Sequence, residues 1–178
     1  PRNDLTGNKE PIVERSVDSM KKIVKTAEDY GVTYCVEVVN RYEGCILNTA
    51  AEAMDYIKRV DADNIGVLLD TYHMNIEEDS FRDAILTAGD KLLGLHTGDN
   101  NRRCPGHIDF DEIFKALAEV NFKGRIVSEL FVAKGGEVGR DIYVWRNLEK
   151  DLSEAALDAE ARHLLEYEKN LLTKYGMN

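Results

Sequence analysis

Four short apolar runs in this 178-residue sequence each lead to a side chain able to bind a metal ion: Glu37 in YCVEVV, Asp70 in VLLD, His96 in LGLH and Glu129 in IVSEL. Two Glu, one Asp and one His make a mixed oxygen and nitrogen donor set. Such a set suits Mn²⁺, Mg²⁺ or Co²⁺ with open coordination positions better than a closed structural zinc site. If the runs are strands, side chains alternate faces along them. Cys35 and Glu37 then share a face, as do Leu68 and Asp70, Gly94 and His96, and Val127 and Glu129. Any one of these polar residues alone is as readily a hydrogen-bonded group at a strand end. All four at corresponding positions point to one site, because burying three carboxylates together without a cation costs several kcal/mol.

The intervening segments have helical periodicity. Val17, Met20, Val24 and Ala27 recur at helical spacing between Glu14 and Tyr30, and Gly31 follows as a stop. Tyr34 to Val39 reads as a strand, then Thr49 with Glu52 as a capping box opening a helix to about Arg59. Ile65 to Asp70 is a second strand, Ser80 opens a helix that Gly89 ends, and Leu92 to Thr97 is a third strand. Asp109 and Glu112 form a second capping box ahead of Ile113, Phe114, Leu117 and Val120, and Arg125 to Phe131 is a fourth strand. Residues 132–152 hold three glycines and the only Trp, a connection long enough to suggest a functional loop. A last helix runs from Ser153 to Tyr175, with Leu157, Leu164, Leu165, Leu171 and Leu172. Strand–helix alternation implies a parallel sheet with right-handed crossovers, either doubly wound or a barrel. No GxGxxG or Walker motif follows a strand, and the ligand at each strand end is where a barrel enzyme carries its chemistry. The expected fold is a TIM-barrel type (β/α) repeat, with residues 1–178 as a single domain.

The net charge of -10 argues against a nucleic acid or an anionic membrane surface as partner. No apolar run approaches the roughly 18 residues of a membrane span, and the polar start PRNDLTGNKE is unlike a signal peptide. Cys35, Cys45 and Cys104 are odd in number and lack a CxxC spacing, so they read as reduced thiols of a cytoplasmic protein.

The segments VEVVNRYEGCILNT, LLDTYHMNIEEDS, LHTGDNNRRCPG and Ser128-Glu129 before Leu130-Phe131 resemble the D-tagatose/D-psicose (allulose) 3-epimerase family, within the xylose-isomerase-like barrels. The resemblance runs from about Glu14 to Leu172 and matches the fifth to eighth units of the barrel. It implies that Glu37, Asp70, His96 and Glu129 bind one divalent cation, usually Mn²⁺ or Co²⁺. Glu37 and Glu129 would also be the catalytic acid–base pair, and Glu43, His73 and Arg102 would contact the oxygens of a ketose. Leu130 departs from the Pro often found after the last ligand in the family. Inverting C3 of a ketohexose, as between D-psicose and D-fructose or D-tagatose and D-sorbose, takes a proton from beside the C2 carbonyl and returns it on the other face. A Lewis-acid cation and two opposed carboxylates suit that passage through an enediolate.

His73 lies three residues past Asp70, where its ring can reach a substrate hydroxyl or merely cap a helix. Arg102 is either a sugar contact or, beside Arg103, a solvated cation, while Glu43 could orient Arg102, meet a hydroxyl or face solvent. His107 and His163 fall off the pattern, and Tyr143 and Trp145 read as packing a loop or a subunit contact. A full barrel has eight units and roughly 250 residues. Four strands would leave open edges, so the chain is expected to be a fragment or to associate, as a homo-oligomer or with another half. A related isomerase of aldose–ketose or hydroxypyruvate type and an inactive half-barrel are the alternatives.

Overall fold

A computed structural model describes residues 7–177. The elements are α1 (Glu10–Asp29), β1 (Tyr34–Glu37), α2 (Ala50–Val60), β2 (Ile65–Asp70), α3 (Thr71–Glu77), α4 (Phe81–Ala88), β3 (Leu92–Thr97), α5 (Phe110–Glu119), β4 (Arg125–Ser128), α6 (Gly136–Asp141) and α7 (Glu154–Lys174). The four strands form one parallel sheet in the order β1-β2-β3-β4. This is the barrel-type repeat expected, laid out in sequence order.

Local chemistry sets the helix limits. Pro11, its φ preset for a helix, lets α1 start at Glu10, four residues before the expected start. Gly31, at φ +65°, ends it, and the Val32 amide turns back to the Ala27 carbonyl at 2.8 Å. At α2 the Thr49 hydroxyl accepts from the Glu52 amide at 3.2 Å, but Glu52 reaches back to the Asn48 amide and not to that of Thr49. The box is displaced by one residue. Asp109 caps α5 through the Asp111 and Glu112 amides, without a reciprocal bond from Glu112.

Two elements were not expected. Asp70 is itself a helix N-cap, accepting from the Tyr72 and His73 amides, so α3 begins immediately after the second strand. Within the long connection, α6 forms one short helix. The edge strands are shorter than their apolar runs. Beyond Glu37, the Val38 amide still meets Leu68 but that of Val39 turns to Leu47. Beyond Ser128, the Glu129 amide meets Thr97 and that of Phe131 turns to Arg102. Leu157 and Leu165 lie exposed on α7, while Leu164 and Leu171 are buried.

The core lies on one side of the sheet. Ile65, Val67, Leu69 and Leu95 pack under the helices with Phe110, Ile113, Phe114 and Leu117. Across the sheet, Cys35 and Val127 are exposed and Leu68 is half-buried. Parallel sheets normally have both faces covered. Here one face and both outer edges are open among the described residues.

Candidate active site

The open face carries the four ligand candidates. Register pairs Asp70 with His96, sets Glu37 beside Leu68, and pairs Thr97 with Ser128 so that Glu129 follows one step beyond. The four side chains project from staggered heights toward one point. One donor atom from each of Glu37, Asp70, His96 and Glu129 lies within 4.8 Å of all the others. The four residues singled out as ligands are thus brought together.

His96 is at the centre. Its Nδ1 lies 3.4 Å from Glu37 Oε1, 3.4 Å from Glu129 Oε2 and 3.8 Å from Asp70 Oδ2. None of these contacts is aligned as a hydrogen bond, so a buried ring nitrogen has no partner. Buried polar atoms are nearly always paired, which makes this one informative. Three carboxylate oxygens and an unpartnered imidazole nitrogen around one point fit a divalent cation of the Mn²⁺, Co²⁺ or Mg²⁺ kind. Glu129 and Glu37 push the His96 imidazole's pKa up to about 10, despite partial burial. His96, with help from Arg102, holds the Glu129 carboxyl down at about 2, whereas burial pushes Asp70 up. In the metal-free protein the His96 contribution to stability is complete below its ordinary value of 6.5 and is lost as pH rises through about 10. That of Glu129 is present above 4.5 and is lost as pH falls toward about 2.

Arg102 is buried and not a solvated surface cation. Its Nη1 donates to Asp70 Oδ2 at 2.8 Å and to Glu129 Oε2 at 2.9 Å, and its guanidinium lies over the Tyr72 ring at 4.0 Å. The residue sits at φ +60°, an uncommon conformation for a side chain of this size. The fully buried Asp99 carboxylate holds the surrounding turn, accepting from the amides of Asn100, His107 and Ile108.

His73 occupies the first turn of α3, buried and facing the site. The Asn40 amide donates to its Nδ1 at 3.1 Å. Arg102 Nη2 stands 3.2 Å from the ring's Nε2. The ring thus meets a donor at each nitrogen, and a neutral imidazole can accept from only one of them. Glu43 Oε1 lies 4.0 Å from His73 Nδ1 and accepts from Asn40 Nδ2 at 2.9 Å. Asn40, almost fully buried, was not foreseen, since nothing in the sequence announces that a histidine 33 positions away will meet it. A cleft of about 560 Å³ opens beside the site at the β1 edge, lined by Glu37, Glu43, Cys35, Val36, Met20 and Ile46.

Outside the cluster, His107 lies 3.4 Å from Asp99 and His163 is exposed on α7. Tyr143 and Trp145 are exposed and tilted against each other at 5.9 Å. The three cysteines are free, and no described helix is long and apolar enough to cross a membrane.

Comparison with known proteins gives a consistent result. Residues 5–166 match the family model of the xylose isomerase-like TIM barrel. The chain is 48% identical over 161 residues to a D-psicose 3-epimerase of Ruminiclostridium cellulolyticum, covering 89% of this chain and 55% of that protein. It is 46% identical over 160 residues to a D-psicose 3-epimerase of Agrobacterium fabrum, with the same coverage of 89% and 55%. A crystal structure of D-psicose 3-epimerase in the presence of D-fructose superposes with a TM-score of 0.93 at 42% identity, over 97% of this chain and 60% of that one. The chain spans about half the length of the curated relatives it matches.

Proposed function

This chain belongs to the xylose isomerase-like TIM barrel family, and on that premise we infer that residues 1–178 supply the catalytic half of a metal-dependent ketose 3-epimerase. The observation that carries this reading is the convergence of Glu37 and Glu129, from the two outermost strands, on one imidazole nitrogen, each at 3.4 Å. Glu37, Asp70, His96 and Glu129 would hold the cation, Mn²⁺ first among the candidates. When bound, such a cation acts as a Lewis acid, stabilising negative charge that develops on the sugar's oxygens.

The chain's own groups account for the rest. One carboxylate takes the proton from C3 and the other returns a proton to the opposite face, the roles set by the sugar's configuration. His73 and Arg102 would grip a sugar oxygen, with Asn40 and Glu43 fixing the histidine ring. Names of the relatives favour D-psicose as the first ketose to try. Turnover of D-psicose in an assembly with a closed barrel, followed by chromatography with and without Mn²⁺, tests this. Conversion of aldoses in place of C3 epimerisation would favour the aldose–ketose alternative.

The uncovered face supports a second reading for the isolated chain, an inactive half-barrel that binds metal. With one sheet face and two edges open, the chain should be dimeric or larger, or pair with another half-barrel. Light scattering is expected to show association, and a stable, well-folded monomer would contradict it.

Metal binding should be linked to pH. With His96 titrating at about 10, a cation must displace its proton throughout the neutral range. Affinity for Mn²⁺ is therefore expected to rise about tenfold per unit between roughly pH 6 and 8, with about one proton released per ion. Calorimetry in buffers of different ionisation enthalpy measures that proton, and pH-independent binding would mean that no proton leaves His96 when the ion binds.

A further inference from the structure

Glu168 is a buried carboxylate that the mechanism leaves unused. It lies on α7 between Leu164 and Leu171, on the helix stripe that packs inward, where an apolar side chain would avoid the cost of desolvation. Only 6% of it is exposed, and burial pushes its pKa up. Its Oε1 accepts from the Thr97 hydroxyl at 2.5 Å and the Ser128 hydroxyl at 3.1 Å, and Thr97 Oγ1 lies 3.2 Å from Ser128 Oγ. Thr97 follows His96 and Ser128 precedes Glu129. Since strand side chains alternate, these hydroxyls point away from the site while their neighbours point into it. Thr97 and Ser128 are also direct register partners, so one carboxylate oxygen clasps β3 and β4 at the rung behind two ligand candidates.

We propose that Glu168 is a positioning residue for the metal cluster: through Thr97 and Ser128 it fixes the ends of β3 and β4, and thereby the spacing of His96 and Glu129. The proposal rests on the metal-site reading above and adds to it a support on the far side of the sheet. A similar contact ties the start of α3, just past β2, to the loop after β3, where the Thr71 hydroxyl donates to the Gly98 carbonyl at 2.6 Å and accepts from the Gly98 amide. Unlike that contact, the Glu168 clasp depends on a side chain from a distant helix, so it can be removed without touching strand or ligand.

The test uses Co²⁺ alone as probe, read by calorimetry and by its visible absorption, which reports coordination geometry. Glu168→Ala is expected to weaken Co²⁺ binding about tenfold and to shift its bands, in line with other groups that orient ligands. Glu168→Gln keeps an accepting oxygen and should bind within about threefold of wild type. Leu171→Ala, a buried position one turn along α7, should lower Tm while leaving affinity and spectrum unchanged. If Glu168→Ala fails to fold, Ser128→Ala removes one arm of the clasp and should still shift the bands. Wild-type affinity and spectrum in Glu168→Ala, or in Ser128→Ala if that variant alone folds, would overturn the proposal. So would a loss reproduced by Leu171→Ala, which would reduce Glu168 to general packing. Absence of Co²⁺ binding by the wild-type protein would instead remove the metal-site reading, and the proposal with it.

Discussion

Replacing Glu37 or Glu129 by Gln is expected to lower kcat for a ketose by at least about 10²-fold, in the range of ~10²–10⁴ typical of a lost general acid or base. The exchange preserves shape and removes the proton carrier. Metal affinity should fall as well, because both carboxylates face the His96 nitrogen at 3.4 Å and a neutral amide is the poorer ligand. Saturating Mn²⁺ separates the two losses: a defect in holding the ion largely recovers, whereas a defect in proton transfer does not. The measurement belongs in an assembly that closes the barrel, where the sugar has both walls of its pocket. Near wild-type turnover by either variant under saturating Mn²⁺ would remove that residue from the acid–base pair.

Arg102→Ala should destabilise the metal-free protein strongly. Its Nη1 bridges the fully buried Asp70 and the partly exposed Glu129. Removing one partner of a buried ion pair typically costs about 3–5 kcal/mol, because the remaining charge has no compensation. Glu129 can relax toward water, which places the expected loss near the lower end, about 3 kcal/mol. Mn²⁺ supplies positive charge to the same oxygens, so it should stabilise Arg102→Ala more than wild type. Denaturation with and without Mn²⁺ measures both effects. A loss under about 1 kcal/mol without metal would mean that Arg102 is not the counter-charge of Asp70. In a closed barrel the same variant should also raise KM, as uniform sugar contacts do when lost.

The central strands were legible to the residue: Ile65–Asp70 and Leu92–Thr97 are the runs their apolar sequence marks. Each pairs on both sides, so pattern and pairing end together. β1 and β4 stop short because their last apolar residues bond to loops, information no local pattern contains. The ligand candidates were readable because a polar residue closing an apolar run is itself the signal. His73, Arg102 and Glu43 came from the family resemblance, since spacing alone leaves a capping His or a solvated Arg equally acceptable. Asn40 and Glu168 were invisible for a further reason: His73 lies 33 positions from the one, Ser128 and Thr97 40 and 71 from the other, and only the fold brings them together. Helix α3 escaped because its cap, Asp70, had already been read as a ligand.

That double use of Asp70 bears on ionic selectivity. Its Oδ1 accepts the Tyr72 and His73 amides at the start of α3, leaving Oδ2 to face the cluster. The carboxylate would therefore offer a cation Oδ2, the oxygen that Arg102 also meets, and chelation by both oxygens would cost the amide bonds of α3. Calcium prefers six to eight oxygens and readily takes carboxylates in bidentate fashion, whereas magnesium requires near-octahedral geometry. If Asp70 ligates a cation, this anchoring to a helix terminus would favour the smaller, six-coordinate ions over calcium, through backbone hydrogen bonds that never touch the ion.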